Sequence, residues 1–413
     1  MNNNVSLFFV TLACWTILFP NRGSGQEMGI EELAKKYSYT LATRDGRLVG
    51  PGAELLLYEA TQTDFVCIGQ DEGVAEIPQL IEAIYQHSHN IGLRFSHIAL
   101  DVSDFSARQL ESLAADVDAS NLLQGYIKDH PGEISSFAWK EEIDMLIQLL
   151  ETADYNEEIL WGLGPVSPLG ASSVLEYLIP LAPDNKSRKL VQKLLKQAQK
   201  GESTYRSSQD TSTTYLAQAG GSDFEALHAS FDEIPEAIGI GALERSSQWY
   251  QKPTNERRLL LEEGLYNRFN RNYLRARNRE AQAPRAMIKL PAEHLYRGKV
   301  PGTEIPAFGN RLERFIQQSK QQMLNIRIMA GPGSHVSQLT TSGQYQTVPN
   351  TSSDQEWMKP LSSLVKPEKW LVFNLRVMRK FIPQDLDPQL KKLINEYDIL
   401  ILMGSSSPGT PVG

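Results

Sequence analysis

Short apolar runs rich in β-branched residues alternate along this chain with longer stretches whose apolar positions recur at helical spacing. Phe65–Ile68 is one such run, and it ends at Gly69 as a buried strand entering a turn does. Ile77, Leu80, Ile81, Ile84 and Tyr85 then recur every three or four residues, and Gly92 follows as a stop signal. Ile98–Leu100 is a second short run, with Asp101 at its carboxyl end. Together they predict a β-α-β unit, which lays the carboxyl ends of two parallel strands along one edge of a sheet. Ligands of open α/β sheets bind along that edge. Gln70, Asp71, Glu72 and Asp101 are therefore expected to face one crevice.

Upstream, 27–62 holds a helix-like EELAKKY, a GRLVGPG turn and AELLLYEA, a lead-in expected to pack against the sheet. Downstream, 105–122 has helical spacing, and 135–153 combines a Ser cap, acids in the first turn and a long apolar stripe. Asp184–Lys200 reads as a basic helix, and 224–279 is again helical. Residues 201–223 are polar with few apolar anchors, the pattern of a mobile connection. Strand character returns at 285–291, 323–330, 369–377 and 397–403, with a helix at Asn310–Gln322 and a polar loop at 335–360. The fold class is thus α/β, a mainly parallel sheet flanked by helices, with a helical insertion. The expected division is a discontinuous α/β domain at 27–103 and 281–403. An insertion at 104–280 carries the polar linker near 201–223, and 404–413 is a flexible tail.

Composition is that of a globular chain, 41% hydrophobic and 22% charged. A net charge of -8 argues against nucleic acid or an anionic membrane as the main partner. The apolar run at 5–20 is short for a membrane span and suited to the core of a signal peptide at 1–26. Cleavage is expected between Arg22 and Glu27, giving a secreted or periplasmic chain with no membrane span once mature. The flank MNNN lacks Lys and Arg, so an uncleaved N-terminal anchor is the alternative. Removal of the signal leaves Cys67 as the one cysteine, inside the first strand, where it reads as a small buried hydrophobe. An internal disulfide of the mature chain and a Cys-type metal cluster are both excluded. No GxGxxG, P-loop, GxSxG or HExxH motif occurs.

Three segments, in order, resemble the erythromycin esterase-like and ChaN-like superfamily, whose members are α/β proteins with a helical insertion. The first-strand turn of these relatives reads Gly-Glu-x-His-Gly, and their second strand ends in Glu. This chain has Gly69-Gln70-Asp71-Glu72-Gly73 and then His97-Ile98-Ala99-Leu100-Asp101. The second segment carries His294, Leu295, Tyr296, Arg297 and Gly298, followed by Gly309 and Asn310. The third is Trp161–Val166, where relatives show a Trp-Gly-x-Asp-Gln-like turn and this chain has Gly164 and Pro165.

The resemblance implies acid/base groups at the first turn and second strand, the positions of Gln70, Glu72 and Asp101. Gln70 exchanges no proton near neutral pH and can only orient or hydrogen-bond. Glu72 can replace a His base once burial or Asp101 lifts it above its reference value of about 4.3. His294 is retained and can act as a general acid/base, with Tyr296 and Arg297 beside it as ligand-binding groups. The loss of the Glu-x-His pair implies a catalytically degenerate protein that binds a small ligand or a partner. The alternative is an active ester-type hydrolase in which Glu72, Asp101 and His294 activate water and Arg297 or backbone amides hold the oxyanion. A second alternative is haem or another iron cofactor held by Tyr296 or His294; the sequence specifies no cofactor. Arg268, Arg271 and Arg275 form a basic helix stripe that either recognises an anion or pairs with neighbouring acids.

Overall fold

The computed structural model describes residues 28–412 apart from 45–46, 154–157, 235–236, 281 and 341. The apolar run at 5–20 and the expected cleavage site lie outside the described residues. Among the described residues the strands are β1 Ser38–Arg44, β2 Arg47–Val49, β3 Phe65–Gln70, β4 His97–Leu100, β5 Leu160–Gly162 and β6 Ala286–Pro291. They continue with β7 Met323–Met329, β8 His335–Leu339, β9 Tyr345–Pro349, β10 Trp370–Asn374 and β11 Ile399–Leu402. Nine of them form one sheet in the order β2-β1-β10-β11-β7-β3-β6-β4-β5. Neighbours from β11 to β5 are parallel, and β10, β1 and β2 extend the sheet antiparallel. β3 lies between β7 and β6 and is buried throughout, which is why it reads as an unbroken apolar run.

Alternation along the strands sorts the two faces. Val66, Ile68, Met287, Ile98 and Leu100 pack under the helices Pro51–Thr61, Glu76–Asn90 and Lys140–Thr152. Phe65, Cys67, Ala99 and Ile288 face the opposite way, under Thr254–Arg279 and Phe308–Ser319. Phe269 centres this second layer, its ring 5.6–6.1 Å from those of Phe65, Trp161, Tyr273, Phe308 and Phe315. Complete burial of such a side chain contributes about 1.5–3 kcal/mol.

The helical stretch expected as one insertion at 104–280 divides. Asp104–Ala114, Ala119–Asp129 and Lys140–Thr152 join the first face, and Thr254–Arg279 covers the second. Between them, the helices from Ala171 to Tyr250 form a core of their own around Val174, Leu194, Leu227 and Leu243. The polar tract at 201–223 is largely helical, since Asn185–Ser208 runs into it. Buried Glu202 accepts hydrogen bonds there from the Ser172 N–H (2.9 Å) and hydroxyl (2.7 Å), so polar partners anchor what apolar side chains do not.

Three other expectations are corrected. The lead-in contains the paired strands β1 and β2, and the polar 335–360 region contains the hairpin β8–β9. The expected flexible tail is docked: Ala75 N–H donates to Ser407 O (3.0 Å) and Lys140 N–H to Thr410 O (2.9 Å). Hairpin and tail meet at Gly73, whose carbonyl accepts from Ser337 N–H and Gly409 N–H, each at 2.9 Å. Gly73 has φ +73°, and a Cβ there would stand 1.8 Å from Ser337 O, so only glycine fits. These backbone bonds carry no hydrophobic period and are invisible to pattern reading. No helix among the described residues is long and apolar enough to cross a membrane.

Candidate functional site

Strand alternation delivers polar side chains to the carboxyl-end edge from both faces of the sheet. On the first face, Gln70 ends β3, and Lys289 shares the side of β6 that Met287 occupies. The buried Lys289 ammonium pairs with buried Glu142 at 2.9 Å, over the ring of Phe137 at 5.5 Å. Gln70 is 6% exposed and directs its Nε2 at Glu142 Oε1 over 3.4 Å, leaving its own Oε1 buried without a partner among the described residues. An unanswered acceptor of this kind is a place for water or a ligand donor.

On the second face, His294 is buried on the short helix Ala292–Leu295 that follows β6. Its Nδ1 lies 2.8 Å from Oε1 of Glu262, whose other oxygen accepts from Phe308 N–H at 2.8 Å. Burial works against a charged imidazole, but the Glu262 hydrogen bond and the field of Asp101 outweigh it, raising the His294 pKa above its usual value. Nδ1 is thereby committed, and Nε2 is the nitrogen available for chemistry.

Glu72 and Asp101 lie between these two sets. Glu72 keeps access to solvent yet sits in a concavity with protein on its other sides. That surrounding protein, and then the Asp101 carboxyl, push its pKa up to about 7, with Lys289 acting in the opposite direction. Asp101 is also raised, first by burial, while His294 and Arg268 pull it down. The field of Asp101 reaches both Glu72 and His294, so it couples the two. Gly164 packs directly on this carboxyl: a Cβ there would come within 2.6 Å of Asp101 Oδ1. The Trp161–Gly164 turn is further held by Leu163 N–H to Leu100 O (2.9 Å) and by Arg268 Nε donating to Leu163 O.

Gln70, Glu72, Asp101 and His294 are thus brought to one edge, and Arg297 is not. Arg297 turns away to make a two-pronged pair with Asp398, one contact at 2.7 Å, beside Asn325 in the body of β7. Tyr296 packs edge-on to Tyr397 at 5.5 Å, with Lys392 over its ring. With Arg258, Glu293 and Arg327 it lines a cavity of about 1020 Å³, whose wall does not include His294, Glu72 or Asp101. Asp71 accepts from Arg327, Asn350 Nδ2 (3.0 Å) and Ala330 N–H (3.3 Å), tying the first turn to the loops after β7 and β9. Burial of Cys67 pushes its thiol pKa up, which removes any thiolate character. Among the described residues no group of three His, Cys, Asp or Glu side chains is placed to hold a metal ion.

Sequence reasoning missed Glu262, Glu142 and Lys289 as groups of this site. A signal existed for two of them. Glu262 falls on the buried stripe of its helix with Leu265, Phe269, Tyr273 and Ala276, and Lys289 interrupts an apolar strand. A charge on an apolar face requires a buried partner.

No protein-family model and no curated protein matches the chain. Solved structures do. A Bacillus cereus protein superposes with a TM-score of 0.59 at 14% identity, over 92% of this chain and 98% of that one. A succinoglycan biosynthesis protein gives 0.60 at 13% identity, over 95% and 100% of the two chains. A histidine-to-asparagine mutant of the erythromycin esterase EreC, in its open conformation, gives 0.58 at 11% identity, over 87% and 95%. The chain is an α/β protein with the fold of the erythromycin esterase-like structures. At these identities the likeness speaks for the fold alone.

Proposed function

We infer that the crevice is the centre of a hydrolase acting on an ester-type bond of a small molecule. The observation that carries this reading is the Glu72 carboxyl: open to water, raised to about 7, and linked through Asp101 to the His294–Glu262 pair. A base with a pKa near the working pH combines a useful ionised fraction with real proton affinity. Glu72 would take the proton from a water as its oxygen bonds to the acyl carbon. His294, whose proton affinity Glu262 and Asp101 raise, would in its protonated form stabilise the oxyanion and then protonate the departing alkoxide from Nε2. The free Gln70 carbonyl oxygen would accept a hydrogen bond from the attacking water. Arg297, engaged by Asp398, has no part in this scheme.

A panel of p-nitrophenyl acyl esters tests it. The unmodified chain is expected to hydrolyse at least one, and Glu72→Gln and His294→Ala are each expected to lower kcat by about 10²–10⁴-fold. No turnover of any ester by the folded, unmodified chain would sink the hydrolase reading. The fold would then serve binding only, as the loss of the Glu-x-His pair implies.

A further inference from the structure

A second concavity, about 1180 Å³, runs along the outer edge of the sheet beside β4 and β5. Its wall is built by the helices Asp104–Ala114, Gly221–Phe231, Gly239–Tyr250 and Thr254–Arg279. The arginine stripe of the last helix lies here. Arg108, Arg275 and Arg279 converge on Glu158, at 3.2, 3.6 and 2.8 Å. Arg245 and Arg271 share one oxygen of Asp104, at 3.0 and 2.6 Å. Five guanidiniums therefore surround two carboxylates.

Other carboxylates in the wall do not restore the balance at these two points. Glu111 accepts from Ile159 N–H at 2.8 Å, and Glu280 pairs with His97 at 2.6 Å. Asp232 is exposed to solvent. The geometry also favours the arginines as the presented groups. Their side chains are 41–58% exposed, against 22% for Asp104 and 29% for Glu158. The acids act as anchors from below, and each guanidinium has five donors of which the anchors use few. Exposed pairs of this kind contribute little to stability, so folding alone does not account for the crowding. Deeper in, burial together with Arg245 and Arg271 pulls the Arg268 pKa down to about 10, against the opposing fields of Asp104 and Asp101.

We propose that this edge cleft binds a small polyanion, a molecule with two or more carboxylate or phosphate groups that span the Glu158 and Asp104 arginine clusters. Arg271, Arg275 and Arg279 follow one another along a helix, one turn apart, which sets the two poles about 6–12 Å apart. A ligand with a single charge can satisfy one pole only. Two linked charges engage both, the second without a new loss of translational freedom.

Calorimetric titration of the full chain with tripolyphosphate, and separately with citrate, tests the proposal at low and at high salt. Saturable binding of either anion, weakened by salt, is expected, and the preferred one identifies phosphate or carboxylate as the natural charge. Inorganic phosphate should bind at least tenfold more weakly than tripolyphosphate. The double substitution Arg275→Gln with Arg279→Gln should weaken binding at least tenfold while its melting temperature stays near that of the parent. Glu158→Gln provides the opposite sign: it removes the resident anion and should tighten binding, which no loss of folding could mimic. Absence of binding by both polyanions, or an affinity indifferent to the arginine pair and to Glu158, would overturn the proposal.

Discussion

In the crevice, Glu72 and Asp101 lie within the fields of Glu142, Glu262 and Glu293, whereas in the edge cleft Arg108, Arg245, Arg271, Arg275 and Arg279 crowd around Asp104 and Glu158. The two regions meet at Arg268, which feels Asp101 on one side and Asp104, Arg245 and Arg271 on the other. Carboxyls enclosed by protein and by one another have a way out: they take up protons, and the Glu72 pKa rises to about 7, first through burial and then through Asp101. Arginines have none at any working pH. Their excess must be met by counter-charges, either from the protein or from a ligand. Enclosed carboxyls therefore favour a proton-exchanging group, whereas crowded guanidiniums favour a counter-ion.

The largest expected effect tests how deeply the crevice differs from the cleft. Lys289→Met strands the buried Glu142 carboxylate, and unfolding in urea should report a loss of about 3–5 kcal/mol. Adding Glu142→Leu should recover most of it, because the cost lies in the unpaired charge. A loss below about 1 kcal/mol in the single variant would mean that water reaches this pair as freely as it reaches the cleft.

The next concerns the proton on Glu72. Activity should rise about tenfold per pH unit up to an apparent pKa near 7 and fall again at higher pH as His294 gives up its proton. Stability should run the other way. A carboxyl whose pKa is raised from 4.5 unfolded to about 7 folded supports the native state below 4.5, and that support is lost as pH rises through 7. Glu72→Gln should accordingly raise the melting temperature more at pH 8 than at pH 4. An equal shift at both pH values would show that Glu72 titrates like an ordinary surface acid.

The smallest effect is expected in the cleft. Arg279 is 58% exposed and pairs with Glu158 at 2.8 Å, so Arg279→Gln should change stability by about 0–1 kcal/mol in either direction. A larger loss would move this cluster from ligand recognition to the support of the fold.

The sequence by itself determined the β-α-β unit around Gln70, Glu72 and Asp101, the late strands, and His294 at the end of one of them. Apolar runs and helical spacing are local, and each residue's own chemistry is present before any folding. The resemblance to erythromycin esterase-like proteins followed from the order of short motifs, and the fold agrees with it. Tertiary structure alone decided which groups answer one another. Arg297 follows His294 by three residues, yet Asp398 draws it away from the crevice, while Glu262 comes to His294 from a distant helix. The arginine stripe reads the same whether it faces water or a cleft, and only the packing of Thr254–Arg279 over β5 and beside Asp104 turned it inward. The docked tail and the β8–β9 hairpin rest on backbone hydrogen bonds, to which side-chain periodicity is blind. Charge pairing and backbone pairing act between segments far apart in the chain, so no local pattern specifies them.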